Sequence, residues 1–439
     1  SYVLTKVAVT VYAGGLVFQQ VFGIKELWGI DFFWIAAIGL VVLTALYTIF
    51  GGMKSVLYTS VLQTPILLLG SLIILVLGFK ELGGWDEMMR VCGAVTVNDY
   101  GDTMTNLIRS NDDANFPWLG ALIGSAIIGF WYWCTDQFIV QRVLSGKNEM
   151  EARRGTIFGA YLKLLPVFLF LIPGMIAFAL HQKYIGAGGE GFLPMLANGT
   201  ANADAAFPTL VAKLLPAGVK GLVVCGILAA LMSSLASLFN SSAMLFTIDF
   251  YKRFKPETPE KKLVGIGQIA TIVIVVLGIL WIPIMRSVGD VLYTYLQDVQ
   301  SVLAPGIAAA FLLGICWKRT SAQGGMWGLI SGMVIGLTRL GAKVYYSNAG
   351  EVADSTFKYL FYDMNWLFFC GWMFLFCIIV VIVVSLATEA PTAEKIQGLV
   401  FGTATKEQKA ATRASWNHWD IIHTVIILAI TAAFYWYFW

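Results

Sequence analysis

Apolar residues run through this chain in long unbroken stretches with brief polar interruptions, and the pattern predicts eleven membrane-crossing helices. They cover roughly 5–24, 32–50, 57–80, 118–142, 155–180, 219–249, 263–285, 290–316, 324–342, 364–387 and 419–438. Each run approaches or exceeds the ~20 mostly apolar residues that span a bilayer. Pro166, Pro173 and the Pro305-Gly306 pair fall inside these runs, and neighbouring helices tolerate such breaks in a membrane. Between them, 81–117 and 181–218 are polar, rich in Gly, Asn and Asp, and are expected to form short surface helices outside the bundle. The fold class is therefore all-α and polytopic.

Composition agrees. Of 439 residues, 58% are hydrophobic and only 13% charged, where soluble domains carry about 25% charged residues. Lys and Arg concentrate in one alternate set of connections. These hold Lys54; Arg142, Lys147, Arg153 and Arg154; Lys252, Arg253, Lys255, Lys261 and Lys262; Lys318 and Arg319; and Lys395, Lys406, Lys409 and Arg413. The positive-inside rule makes that set cytoplasmic, which puts 81–117, 181–218, 343–363 and the C-terminus outside. The six cysteines form no CxxC pair, and three histidines leave little for zinc or haem. A Walker-type phosphate loop is missing, against a self-contained ATP-driven pump. Asn198-Gly199-Thr200 matches a glycosylation triplet, a match that arises often by chance.

Polar groups deep in the spans are the candidates for function, because burying them in hydrocarbon costs a few kcal/mol each. Lys163 lies nine residues beyond Arg154, about 13 Å from the cytoplasmic edge at 1.5 Å per residue, farther than its stem snorkels. Gln297, the pair Ser233-Ser234, and Tyr132-Trp133 fall at similar mid-span depth on three further helices. Together they are expected to share one water-filled chamber near the midplane, where secondary transporters hold solute and ion. Each has a plainer alternative. Lys163 could pair with an acid or with backbone carbonyls, the serines could be packing contacts, the aromatics an interfacial belt, and Gln297 an interhelical hydrogen bond. Asp136 and Arg142, six apart, read as a charge pair on the inner half of one helix.

The string FWYWCTDQFIVQRVLSGKN over 130–148 resembles the signature of the sodium/glucose cotransporters, within the sodium/solute symporter family. TALYTIFGGMKSVLYT (44–59), GAYLKLLPVFLFLIPGMI (159–176), ILAALMSSLASLFNSSAMLFTIDFY (227–251) and YLQDVQSVLAPGIAAAFLLGICWKR (295–319) extend the likeness in family order. The resemblance implies a leucine-transporter-like core of two inverted five-helix repeats with extra peripheral helices. On that alignment 1–80 supplies three helices of the first repeat and 118–316 the second. Residues 317–439 are peripheral, and the first two core helices would precede Ser1. It further implies Lys163 and Gln297 as sugar ligands, Tyr132 as a stacking inner gate supported by Trp133, and sodium held by the Ala230 carbonyl with the Ser233 and Ser234 hydroxyls. Ser60 stands where two-sodium members carry an acid, and Ala236 replaces a hydroxyl, implying one sodium per sugar. Gly129 stands where relatives often contact sugar. The Cys-poor segment 181–206 suggests a bacterial, inner-membrane member.

The expected activity is uptake of galactose or glucose driven by inward sodium flux through alternating access, with sodium as the co-transported ion and the lipid bilayer and a small sugar as partners. Nucleic acid has no place in this reading, and an oligomer is possible but not required. The alternatives are another solute on the same scaffold (myo-inositol, proline, sialic acid or iodide), an ion channel, and a membrane enzyme. No nucleophile–base or metal constellation near the midplane groups supports the enzyme.

Overall fold

Backbone N–H and C=O groups find no water in hydrocarbon, so a chain this apolar must satisfy them within helices. The computed structural model describes residues 2–196, 199–286, 292–348 and 353–438, and its helices follow the apolar runs. Helices of eight residues or more are α1 (Tyr2–Phe22), α2 (Phe32–Leu82), α3 (Trp85–Gly93), α4 (Trp118–Cys134), α5 (Gln137–Leu144), α6 (Glu149–Pro166), α7 (Ile172–Gly186) and α8 (Ala206–Leu214). Then come α9 (Ala217–Met244), α10 (Glu260–Arg286), α11 (Leu292–Cys316), α12 (Ala322–Asn348), α13 (Trp366–Ala387), α14 (Lys406–Ala414) and α15 (His418–Tyr437). A two-stranded hairpin, β1 (Glu26–Leu27) and β2 (Ile30–Asp31), joins α1 to α2. Its turn residues Trp28 and Gly29 both have positive φ, 55° and 76°, as a tight hairpin turn requires.

All eleven expected spans land on helices, with three differences. Among the described residues, seven helices are long and apolar enough to cross a membrane, or eight if α4 and α5 count as one bent span. The Gly, Gln and Arg content of α12 lowers its apolarity. Secondly, no break interrupts α2 between 50 and 57, where a cytoplasmic connection was expected. That stretch contains Gly51 and Gly52 but no proline, and glycine alone weakens a helix by only about 1 kcal/mol. Thirdly, 118–142 is two helices bent by 46° rather than one. Asp136 is the N-cap of α5, accepting a hydrogen bond from the Phe138 N–H, so it stands at the junction of two helices, with Arg142 in the last turn of the second. Asn198 of the glycosylation triplet lies outside the described residues.

The chain forms two compact units. The first comprises Ser1–Val97, Thr103–Thr105 and Leu164–Tyr293. Its centre is the pairing of α2 with α9, which come close because small residues line the seam: a Cβ added to Gly70 would collide with Val223, and one added to Gly226 would meet Ile66. Ile74, Ile176, Leu180, Leu210 and Val223 are fully buried around that seam. Proline shapes the helix ends. After Pro166 the helix widens into a π-helical stretch, Val167–Leu171, before resuming as α7.

The second unit comprises Asn98–Asp102, Asn106–Lys163 and Thr294–Trp439. Here too glycine sets the helix spacing: Gly124 of α4 abuts the Leu367 backbone of α13, Gly306 of α11 abuts Gly332 of α12, and Gly328 of α12 abuts Val381 of α13. The loop before α4 is organised by Asp113. Its Oδ1 accepts the Asn115 and Phe116 N–H groups at 2.9 and 2.7 Å, and its Oδ2 accepts the Asn98 amide at 3.0 Å.

Two outcomes follow. A Gly70→Ile substitution overpacks the α2–α9 seam, costing about 1–3 kcal/mol, and lowers the thermal midpoint of the purified protein, measured by scanning fluorimetry, whereas Gly39→Ile, with open space around it, leaves the midpoint near that of the parent. For Asp113, burial pushes the carboxyl up, but the bonds from Phe116, Asn115 and Asn98 and the Arg109 charge outweigh it and hold the group below the usual carboxylate range. A depressed carboxylate stabilises the loop fully above its unfolded pKa of about 3.9 and ceases to do so as pH falls below it. Amide-exchange protection at 113–117 is therefore present at pH 6 and lost on acidification through that range.

Candidate solute and sodium sites

Hydroxyl oxygens are scarce in hydrocarbon, so where several face one way they invite a cation. On α9, Ala230, Ser233 and Ser234 are spaced i, i+3, i+4 and therefore share a face. Ser233 is buried. Its Oγ lies 2.6 Å from the Ser60 Oγ of α2, and its carbonyl accepts the Ser237 hydroxyl at 3.0 Å. Ser60 thus touches the central hydroxyl of the trio directly. The spacing within α9 was legible in sequence, but this contact across 173 positions was not. It exists because Gly70 and Gly226 let the two backbones close on each other. Buried Ser241 and Ser242 donate their hydroxyls to the Leu238 carbonyl, so their donors are satisfied within α9.

The solute candidates all lie in the second unit. Tyr132 and Trp133 close the C-terminal end of α4, their rings 5.3 Å apart and edge-on. Lys163, near the end of α6, places its Nζ 5.7 Å from the centre of the Trp133 ring. Sequence alone placed these groups on separate helices, and the structure brings Lys163 and Trp133 together. The ammonium makes no hydrogen bond or ion pair among the described residues, which leaves its three donors for a ligand. Gln297 stands on α11, half-buried, one position before Asp298. Along the chain, Lys163 is the last residue before the second unit gives way to the first, and Gln297 lies four residues after the return at Tyr293–Thr294. Gly129, three residues before Tyr132, has open space where a side chain would be.

The Sodium:solute symporter family profile matches residues 1–332. The chain belongs to the sodium:solute symporter family. Among the chain's relatives, human sodium/myo-inositol cotransporter 2 is 35% identical over 92% of the chain and 60% of its own length. A bovine sodium/mannose cotransporter is 34% identical over 99% of the chain and 75% of its length. Sheep sodium/glucose cotransporter 1 is 36% identical over 88% of the chain and 60% of its length. The chain thus spans about 60% of the length of two of these relatives. A solved sodium-coupled sialic acid symporter, substrate-bound and outward-open, matches with a TM-score of 0.64 at 20% identity, covering 89% of this chain and 74% of that one. The expected all-α, leucine-transporter-like fold class is borne out.

If the α9 trio holds sodium, Ser233→Ala removes one oxygen ligand and raises the sodium concentration for half-maximal transport at least ten-fold. Ser60→Ala, which removes only the partner of that hydroxyl, raises it less. Sodium-titrated uptake at fixed solute measures both.

Proposed function

We propose that the protein is a sodium-driven symporter for a small uncharged polyol, with a hexose such as galactose or glucose as substrate. The observation that carries this is the Lys163 ammonium held over the Trp133 indole with its donors unspent. A sugar ring needs donors and acceptors around its rim and an aromatic face beneath it. Lys163 supplies donors, Gln297 supplies both kinds, and Tyr132 offers the aromatic face and the gate. Ala230, Ser233 and Ser234 would ligate one sodium ion through oxygen, the hard ligand such a cation prefers. Ser60 in the first coordination neighbourhood brings a neutral hydroxyl and no carboxylate, consistent with a single sodium per solute. The inward sodium gradient and a membrane potential worth about 2.3 kcal/mol per charge per 100 mV supply the work. The protein would act in a bacterial inner membrane with its C-terminal helix ending outside.

Myo-inositol is the second reading. It is favoured by the human relative's name and by Gly129, which contributes no side chain to the solute. Both readings share the chemistry of a ring bearing several hydroxyls.

The test is uptake of labelled galactose, glucose, mannose, myo-inositol, proline and sialic acid into proteoliposomes with and without a sodium gradient. Sodium-dependent accumulation of a hexose or inositol is expected. Lys163→Ala removes charge-assisted hydrogen bonds worth about 1.5–3 kcal/mol, so uptake efficiency drops roughly ten- to hundred-fold. Equal uptake without sodium, or an unaffected Lys163→Ala variant, overturns the proposal.

A further inference from the structure

Two buried charges and a half-buried third meet in the second unit, next to the proposed solute ligand Gln297. Asp298 of α11 is 8% exposed and Arg339 of α12 is fully buried. Lys343, one turn along α12, donates to Asp298 Oδ2. Arg339 Nη2 lies 3.8 Å from Asp298 Oδ1. Such groups are costly in a membrane and call for a role.

The two sides of this cluster differ in how firmly they are held. Arg339 donates to the carbonyls of Met364 and Leu360 at 2.7 and 3.3 Å, and its guanidinium lies 4.1 Å from the Phe369 ring centre. It is thus anchored to α13 and the segment leading into it, whatever α11 does. Among the described residues, the Asp298 carboxylate has no comparable tether on its own helix. Its Oδ1 and the Arg339 Nε have no hydrogen-bond partner.

Helix geometry then links Asp298 to Gln297. Asp298, Val302 and Gly306 are spaced by four and form one row along α11. Gly306 meets Gly332, Val302 meets Gly336, and Asp298 meets Arg339 and Lys343. The row is the face α11 turns toward α12, and adjacent Gln297 is rotated from it by about 100°. Pro305 removes one rung of the α11 ladder between Val302 and Gly306. A proline removes one backbone hydrogen bond and clashes with the preceding turn, so the segment before it is poorly held by the rest of the helix and depends on its own side-chain anchor.

We propose that Asp298, clamped by Arg339 and Lys343, is a positioning residue that fixes the rotation of the Gln297-bearing half of α11 and so aims the Gln297 amide at the solute. The inference rests on Gln297 being a solute ligand. It predicts that loosening the clamp weakens solute recognition and leaves sodium recognition alone.

The experiment uses the full-length carrier in proteoliposomes, with labelled solute and sodium titrated separately. Asp298→Asn raises the apparent KM for solute at least ten-fold and shifts sodium half-saturation less than two-fold. Lys343→Met, which keeps the Arg339 pair, raises it about three-fold, and the exchange Asp298→Lys with Lys343→Asp recovers most of the loss. A lower Vmax with unchanged solute KM overturns the proposal. A second readout needs no transport: with the exposed native cysteines replaced, Gln297→Cys is labelled by a membrane-impermeant thiol reagent with and without Asp298→Asn. A change of at least five-fold in labelling rate supports the clamp even if the parent carries none of the solutes tried, a result that would sink the transport reading alone. An unchanged rate overturns the clamp.

Discussion

A polar group removed from water into hydrocarbon must find its partner inside the protein, and this requirement governs the chain at every scale. It makes the backbone helical almost throughout. It sends the hydroxyls of Thr44, Thr48, Ser241 and Ser242 back to carbonyls three or four residues earlier. Where a helix must stop, side chains take over: Asp31 caps α2 and Asp136 caps α5. Polar groups that escape this local settlement are then few enough to be informative. Among them are the Ser60–Ser233 contact between two helices, the Lys163 ammonium over Trp133, and the Asp298 cluster.

Close helix approach is the second condition, and glycine provides it. The seam of α2 and α9 at Gly70 and Gly226 is what lets Ser60 reach Ser233. The contacts of Gly306 and Gly332 bring α11 and α12 together, so that Asp298 meets Arg339 and Lys343 instead of facing lipid. Without a hydrophobic force between helices in a bilayer, packing of this kind is a main source of association. The residues proposed to bind sodium and those proposed to aim the solute ligand therefore rely on the same device in their separate units.

Interruptions of the helices coincide with candidate chemistry. The bend after Cys134 follows Tyr132 and Trp133. The π-helical stretch begins four residues beyond Lys163, and Pro305 lies eight beyond Gln297. At the bend and the π-helical stretch the adjacent turn is oriented by tertiary contacts as well as by its helix, while Pro305 sits inside the continuous α11. The Lys163–Trp133 contact is one such constraint, and the Arg339 anchor is another.

Sequence by itself determined the helical membrane class, the position of every expected span, the sharing of one face by Ala230, Ser233 and Ser234, and the family likeness. These depend on apolar run length and on the fixed 3.6-residue period, both local properties. It read 118–142 as one helix where there are two bent by 46°, because the capping role of Asp136 shows only once the backbone direction is known. It also expected a break in α2 that two glycines did not supply. Only the tertiary structure decided which hydroxyl met Ser233, which ring lay beneath Lys163, and which cations held Asp298. Those pairings join positions from 30 to 173 residues apart, and no local periodicity encodes contacts made by helices that pack against each other from distant parts of a chain.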